Sequence, residues 1–192
     1  YAWTGGTTMS SMTGLSAGIY SVTVTDFNGC TVMGSFEVLE PAILLVIPTI
    51  ENNTCFGNND GSVILTVTGG TQPYSYMWSD SSVGSSLTGL GAGTYDVTVT
   101  GANGCEFLAS YTIVGTSEII AVPTISNVTC FGGNTGAISI VATGGSSPYT
   151  YAWSNQSASM DLIGITAGVY DLTITDSNLC ASIFSYEVTQ PD

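Results

Sequence analysis

One spacing governs this sequence: Trp3, Trp78 and Trp153 stand 75 residues apart, and so do Cys30, Cys105 and Cys180. Gly18, Gly93 and Gly168 keep the same interval, as do Tyr20, Tyr95 and Tyr170. Cys55 with Cys130, Pro48 with Pro123 and Pro73 with Pro148 extend it. A fixed period without insertions is the signature of tandem units, each folded alike and stacked on its neighbours. Tyr1 falls at the position of Tyr76 and Tyr151, in the middle of a unit. The expected organisation is therefore the C-terminal part of a first unit over residues 1–40, a second unit over 41–115 and a third over 116–192. Such a chain reads as an excerpt from a longer array.

Each unit reads as strands and turns, without a helix. In Ser62 to Thr68 the apolar Val63, Leu65 and Val67 alternate with their neighbours, the period of a half-buried strand. Ala137 to Thr143 is its equivalent, and Gly69-Gly70 and Gly144-Gly145 stop the two strands. Tyr74, Tyr76 and Trp78 share one face of the next strand, with Trp78 as core anchor, and Tyr95, Val97 and Val99 face inward on a later one. Asn103-Gly104 turns the chain into a last strand from Cys105, an Asn-Gly pair being suited to a hairpin because both residues tolerate positive φ. Ile43 to Ile50 supplies a first strand whose Pro48 places it at a sheet edge. One further strand fits around Ser85 to Leu90, making six per unit. The fold class expected is all-β, with tandem immunoglobulin-like (fibronectin III-like) β-sandwich repeats. Leu90 to Tyr95 reads as a tyrosine corner, in which the phenol bonds the backbone just upstream.

Several motifs recur in fixed order. Cys-Phe-Gly-x-x-x-Gly at 55–61 and 130–136 precedes Gly-Gly-x-x-Pro-Tyr-x-Tyr-x-Trp-Ser at 69–79 and 144–154. Ala-Gly-x-Tyr follows at 92–95 and 167–170, and Asn-Gly-Cys at 28–30 and 103–105. On these motifs, which span essentially the whole chain, the sequence resembles the SprB-type repeat of large Bacteroidetes cell-surface adhesins. Three places depart from the pattern: Gly101 stands where Asp26 and Asp176 stand, Leu179 replaces the turn glycine, and Gly115-Thr116 replaces the acid-or-amide and proline pair of 40–41 and 190–191. The resemblance implies an extracellular, cell-surface location reached through the type IX route, a role in adhesion, gliding or fibre building, and no catalytic residues.

Composition narrows the function classes. The chain has 14 Asp and Glu and no Lys, Arg or His, so no side chain can carry positive charge. Nucleic-acid binding, which needs cations against phosphate, is excluded, and so is electrostatic attachment to anionic membranes. No apolar run is long enough for membrane insertion as a helix. At 44 % hydrophobic residues the chain should nevertheless bury a core. Without His or Lys there is no Ser–His, Cys–His or Ser–Lys nucleophile system. The acids do not keep register as catalytic carboxylates would: Asp96 and Asp171 align with Ser21, and Asp60 with Thr135. No enzyme activity and no cofactor are expected. Cysteine spacing does not suit zinc. Calcium at Asp60, in the turn Asn58-Asn59-Asp60-Gly61, is the one weak metal candidate, and Thr135 lacks the carboxylate there.

Two regularly placed cysteines in a small secreted repeat read as a disulfide framework. Two pairings respect the period: Cys55–Cys105 with Cys130–Cys180 inside units, or Cys30–Cys55 with Cys105–Cys130 across junctions. If every strand reverses direction, six strands bring the turn before the last to the end where the first turn lies. That geometry favours the intra-unit pairs and leaves Cys30 unmatched. The function expected is a structural stalk or fibre segment with neighbouring repeats, and other copies in a fibre, as partners. The alternative is an array that binds surface glycans or proteins through variable segments such as Asp80 to Ser86 and Asn155 to Asp161.

Overall fold

The alternating runs form strands where the pattern places them. The computed structural model describes all 192 residues and contains no helix. The first unit contributes β1 (Ala2–Trp3), β2 (Gly18–Thr25) and β3 (Thr31–Val38). The second contains β4 (Leu45–Glu51), β5 (Gly61–Thr68), β6 (Tyr74–Trp78), β7 (Ser86–Leu90), β8 (Gly93–Gly101) and β9 (Glu106–Ile113). The third repeats these as β10 (Ile120–Ser126), β11 (Gly136–Thr143), β12 (Thr150–Trp153), β13 (Leu162–Ile165), β14 (Gly168–Thr175) and β15 (Ala181–Val188).

Each complete unit is an immunoglobulin-like sandwich of two three-stranded antiparallel sheets. In the second these are β4-β5-β7 and β6-β8-β9; in the third, β10-β11-β13 and β12-β14-β15. The sheet β1-β2-β3 is the counterpart of β6-β8-β9, and no second sheet covers it. Val63, Leu65, Trp78, Leu87, Val97, Val99 and Ile113 close the core of the second sandwich, and Ile138, Ile140, Trp153, Leu162, Leu172, Ile174 and Val188 that of the third. Burying one such side chain is worth about 1.5–3 kcal/mol, so these inward stripes drive the two sheets together. The tryptophan needs a partner for its ring N–H when buried. Trp78 donates to the Gly84 carbonyl at 3.0 Å and Trp153 to that of Ser159 at 2.9 Å. Pro48 sits on β4, an edge strand, where its missing N–H breaks no ladder. The tyrosine corners form as expected: Tyr20, Tyr95 and Tyr170 donate to the carbonyls of Ser16, Gly91 and Thr166, each four residues upstream.

Strand direction departs from the simple alternation. β4 and β7 both run antiparallel to β5, and β6 and β9 both run antiparallel to β8. Because Gly91-Ala92 reverses the chain between β7 and β8, β6 and β7 point the same way. Residues 79–85 cross from one sheet to the other and return partway down the sandwich, so that Ser86 pairs with Ile64. The chain therefore enters each sandwich at one end and leaves at the other. At the lower end the Gly70 N–H donates to the Ala42 carbonyl and the Ala102 N–H to that of Thr71, gathering the incoming segment, the β5–β6 loop and the β8–β9 turn. At the upper end the Asn53 N–H donates to the Val114 carbonyl, and the Asn53 side-chain amide donates to that of Leu90.

The hairpin turn also differs from expectation. Of the Asn103-Gly104 pair only Gly104 has positive φ, and Gly29 and Leu179 take the equivalent place in the other units. The Gly101 N–H meets the Cys105 carbonyl and the Gly104 N–H that of Gly101, the geometry of a longer hairpin loop ending in one left-handed residue. Leu179 holds that conformation at φ 65° with a side chain that disfavours it.

Candidate functional site at the junction between sandwiches

The upper end of the second sandwich meets the lower end of the third, and its chemistry begins with two glycines. A Cβ on Gly144 would stand 1.8 Å from the Glu118 carbonyl oxygen, and one on Gly69 1.9 Å from that of Ile43. The Gly-Gly pair is thus more than a strand stop. It lets the connecting segment lie directly on the β5–β6 or β11–β12 loop, where the N–H groups of Gly70 and Gly145 donate to Ala42 and Ser117. Tyr74 and Tyr149 then donate back to the carbonyls of Gly69 and Gly144. Residues 114–118 form the whole connection between Ile113, buried in one core, and Ile119, buried in the next.

Into this corner reaches the β4–β5 loop. Cys55, Phe56 and Asn58 face Thr116 to Ile119, Gly145, Asp176 and Leu179 to Ser182 across one hollow. Cys55 is joined to Cys180 by a disulfide with a Cα–Cα distance of 5.6 Å, inside the range that bridge geometry allows. The Asn178 amide also donates to the Thr54 carbonyl at 3.3 Å. Asp176, only 4 % exposed, fixes the receiving turn. Its carboxylate accepts the N–H groups of Ser146, Asn178 and Cys180, each at 2.9 Å. Burial pushes its pKa up, and the three N–H donors together outweigh that and hold it below the ordinary aspartate range.

This pairing corrects the expected one. Cys55 is not bonded to Cys105, nor Cys130 to Cys180; Cys30, Cys105 and Cys130 are free and exposed. The reason is the direction of β6 and β7. Because these consecutive strands run the same way, the β4–β5 loop and the β8–β9 turn lie at opposite ends of one sandwich. The cross-junction alternative, Cys30–Cys55, fails equally, since it joins the lower end of one unit to the upper end of the next. What does meet across a junction is the loop cysteine of one unit and the turn cysteine of the following unit, 125 residues on.

Asp60 ties its own loop. It accepts the Thr54 N–H at 3.1 Å, the Thr54 hydroxyl, and the side-chain amides of Asn53 and Asn58 at 3.2 and 3.4 Å. These donors, the Thr54 hydroxyl foremost, hold its pKa at about 2. Both carboxylate oxygens thus serve the loop's own turn, and the equivalent Thr135 carries no carboxylate. No three acidic, cysteine or histidine side chains gather elsewhere as a metal site. Sequence reasoning missed Phe56, Asn178 and Asp176 as junction residues. Only the recurrence of Asp at 26 and 176 on the hairpin signalled any of them.

Residues 47–83 and 122–158 match the SprB repeat family. No curated protein matches the chain. Among solved structures, the N-terminal eight Ig domains of Down Syndrome Cell Adhesion Molecule align at TM-score 0.48 and 13% identity, over 91% of this chain and 28% of that one. A three-Ig-domain titin structure aligns at 0.42 and 11%, over 92% and 75%. The two Ig domains of DIP-gamma align at 0.42 and 12%, over 78% and 98%. Alignments this loose carry no functional argument. Each complete sandwich of this chain thus contains a segment that matches the SprB repeat family.

Proposed function

We propose that this chain is a structural stalk or fibre segment of a secreted cell-surface adhesin, acting as a spacer and not as a catalyst. One observation carries the reading: each sandwich takes the chain in at one end and passes it on at the other, and the Cys55–Cys180 bond bolts that handover. A connection of residues 114–118 between two buried anchors cannot behave as a flexible Gly/Ser linker. Each repeat would then add on the order of 30 Å of length, from a rise of about 3.4 Å per residue over strands of eight or nine residues. The SprB repeat match and the absence of any cationic or imidazole side chain support the same reading.

The glycan-binding alternative has less support. Asp80 to Ser86 and Asn155 to Asp161 contain no aromatic residue. The recurring Trp78, Trp153, Tyr76 and Tyr151 belong to or pack against the cores. Small-angle scattering of the oxidised chain tests the stalk. A stiff, elongated particle that becomes more flexible on reduction is expected; a folded-back or freely jointed particle while oxidised would overturn it.

A further inference from the structure

The junction seen once in this chain has two unjoined halves elsewhere in it. Shifted by one period, the seat of the third sandwich maps onto the lower end of the second. There Pro41 to Leu44, Gly70, Cys105 and Phe107 line an open hollow. Its residues stand where Thr116 to Ile119, Gly145, Cys180 and Ser182 receive the Cys55-Phe56 loop. Shifted the other way, the loop maps onto Cys130-Phe131-Gly132 at the upper end of the third sandwich. Its local turn is the same: Asn58 N–H donates to the Cys55 carbonyl at 3.2 Å, and Gly133 N–H to that of Cys130 at 2.9 Å. Phe131 is 74% exposed and the Cys130 thiol is free.

We infer that Cys105 and Cys130 are two halves of the staple formed at Cys55–Cys180. The hollow at Cys105 takes the Cys-Phe-Gly loop of a complete sandwich standing on the β1-β2-β3 sheet, and the Cys130 loop enters the hollow of a sandwich stacked above. In an array every loop cysteine is then bonded to the turn cysteine 125 residues later, and every junction is covalent. Each staple forms by thiol–disulfide exchange with a disulfide oxidant. Two thiols lose two protons and two electrons, the S–S bond forms, and the oxidant leaves as two thiols. The inference rests on the internal repeat geometry and stands apart from the stalk reading.

The seats are not identical. At Cys180 the Asp176 carboxylate holds the turn, whereas Gly101 takes that place near Cys105, and the Cys105 N–H finds the Asn103 side-chain oxygen at 3.3 Å. The Cys105 seat should accordingly close into the more easily reduced staple.

Fusing a second copy of residues 41–75 ahead of Tyr1 completes the first sandwich in register and tests the inference. Peptide mapping without reductant should join the fused copy of Cys55 to Cys105 and keep Cys55–Cys180. Bonding of the fused cysteine to Cys30, or a free Cys105 beside it, would overturn the inference. Should the fusion not fold, the unextended chain provides the test. A disulfide-activated peptide of residues 127–135 should load Cys105 several-fold above Cys30, an exposed thiol on the same kind of turn without a seat. Equal loading would refute the seat. Correct pairing in a bent particle would sink the stalk alone, and a straight particle with other pairing would sink the staple alone.

Discussion

The loops at the upper ends of the two complete sandwiches have the same shape and different fillings. Around Cys55, the buried Asn53 amide donates to the Asn58 and Leu90 carbonyls, each at 2.7 Å, while Asp60 gathers four donors. Around Cys130, Val128 fills the place of Asn53 at 3% exposure, and the Thr135 hydroxyl alone meets the Thr129 N–H and hydroxyl. Common to both is a backbone clamp. The side-chain oxygens of Asn52 and Asn127 accept the N–H groups of Val114 and Thr189, whose carbonyls accept those of Asn53 and Val128. The comparison teaches that clamp and glycines set the loop, whereas a polar or an apolar plug can fill it. The carboxylate of Asp60 is one such filling, which explains why its absence from the third sandwich changes nothing in the fold.

Shared elements should therefore fail alike, and unshared ones differently. The largest effect is expected for Gly69→Ala and Gly144→Ala, because each Cβ would overlap a carbonyl oxygen within 2 Å. A loss of about 3 kcal/mol or more from the affected sandwich should show in denaturant melts, similar for both variants. A mild Gly144→Ala beside a severe Gly69→Ala would mean that the two junctions are built differently.

The plugs come next. Asn53→Ala takes the amide donor from the buried Leu90 carbonyl and the partly buried Asn58 carbonyl and should cost about 2–3 kcal/mol. Val128→Ala removes only apolar volume and should cost about 1–2 kcal/mol. Chemical denaturation of both variants checks the order, and a reversed order would show that the Asn53 amide is dispensable.

Acid should separate the loops further. With no side-chain ion pairs to break, stability should stay level from neutral pH to about pH 4. Asp60 has a folded pKa of about 2 against 3.8 for an ordinary aspartate. Its depressed value contributes stability that is present above the unfolded pKa and lost as pH falls from about 4 toward 2. Asp176 acts with the same sign in the third sandwich. Thermal melts across this window should fall, and Asp60→Asn should flatten the fall in the second sandwich only.

The smallest change is expected at Leu179, which is exposed and held at φ 65° where Gly29 and Gly104 stand in the other units. Leu179→Gly should raise the melting temperature slightly, by relief of up to about 1 kcal/mol of backbone strain. A lower melting temperature would mean that the leucine side chain matters to the junction hollow.

Much of this was legible in the residues themselves. Period-2 stretches marked the strands, Trp78 and Trp153 the core anchors, and Tyr95 and Tyr170 the corners, because each depends on local pattern or on one repeated side chain. The Gly69-Gly70 pair was visible as a break. Its role as a landing place for the connecting segment was not, since that contact is made with residues 42 and 43 across a turn of the sandwich. The disulfide partner was hidden for a related reason. Loop-to-turn proximity depends on strand direction, and nothing in Ser79 to Ser85 announces that the chain crosses between sheets without reversing. Asp60 and its neighbours have the composition of a cation loop, and the four donors that tie its carboxylate are set by the path of the loop, which spacing alone does not give.

The bond across the junction tests the account most directly. Trypsin has no Lys or Arg to cleave after, so the unreduced, alkylated chain must be cut at its acidic or aromatic residues. Mass spectrometry should then find one linked pair of peptides, carrying Cys55 and Cys180, with Cys30, Cys105 and Cys130 alkylated. Linked pairs Cys55–Cys105 and Cys130–Cys180 would contradict it, because they would require the loop and the turn to share one end of each sandwich.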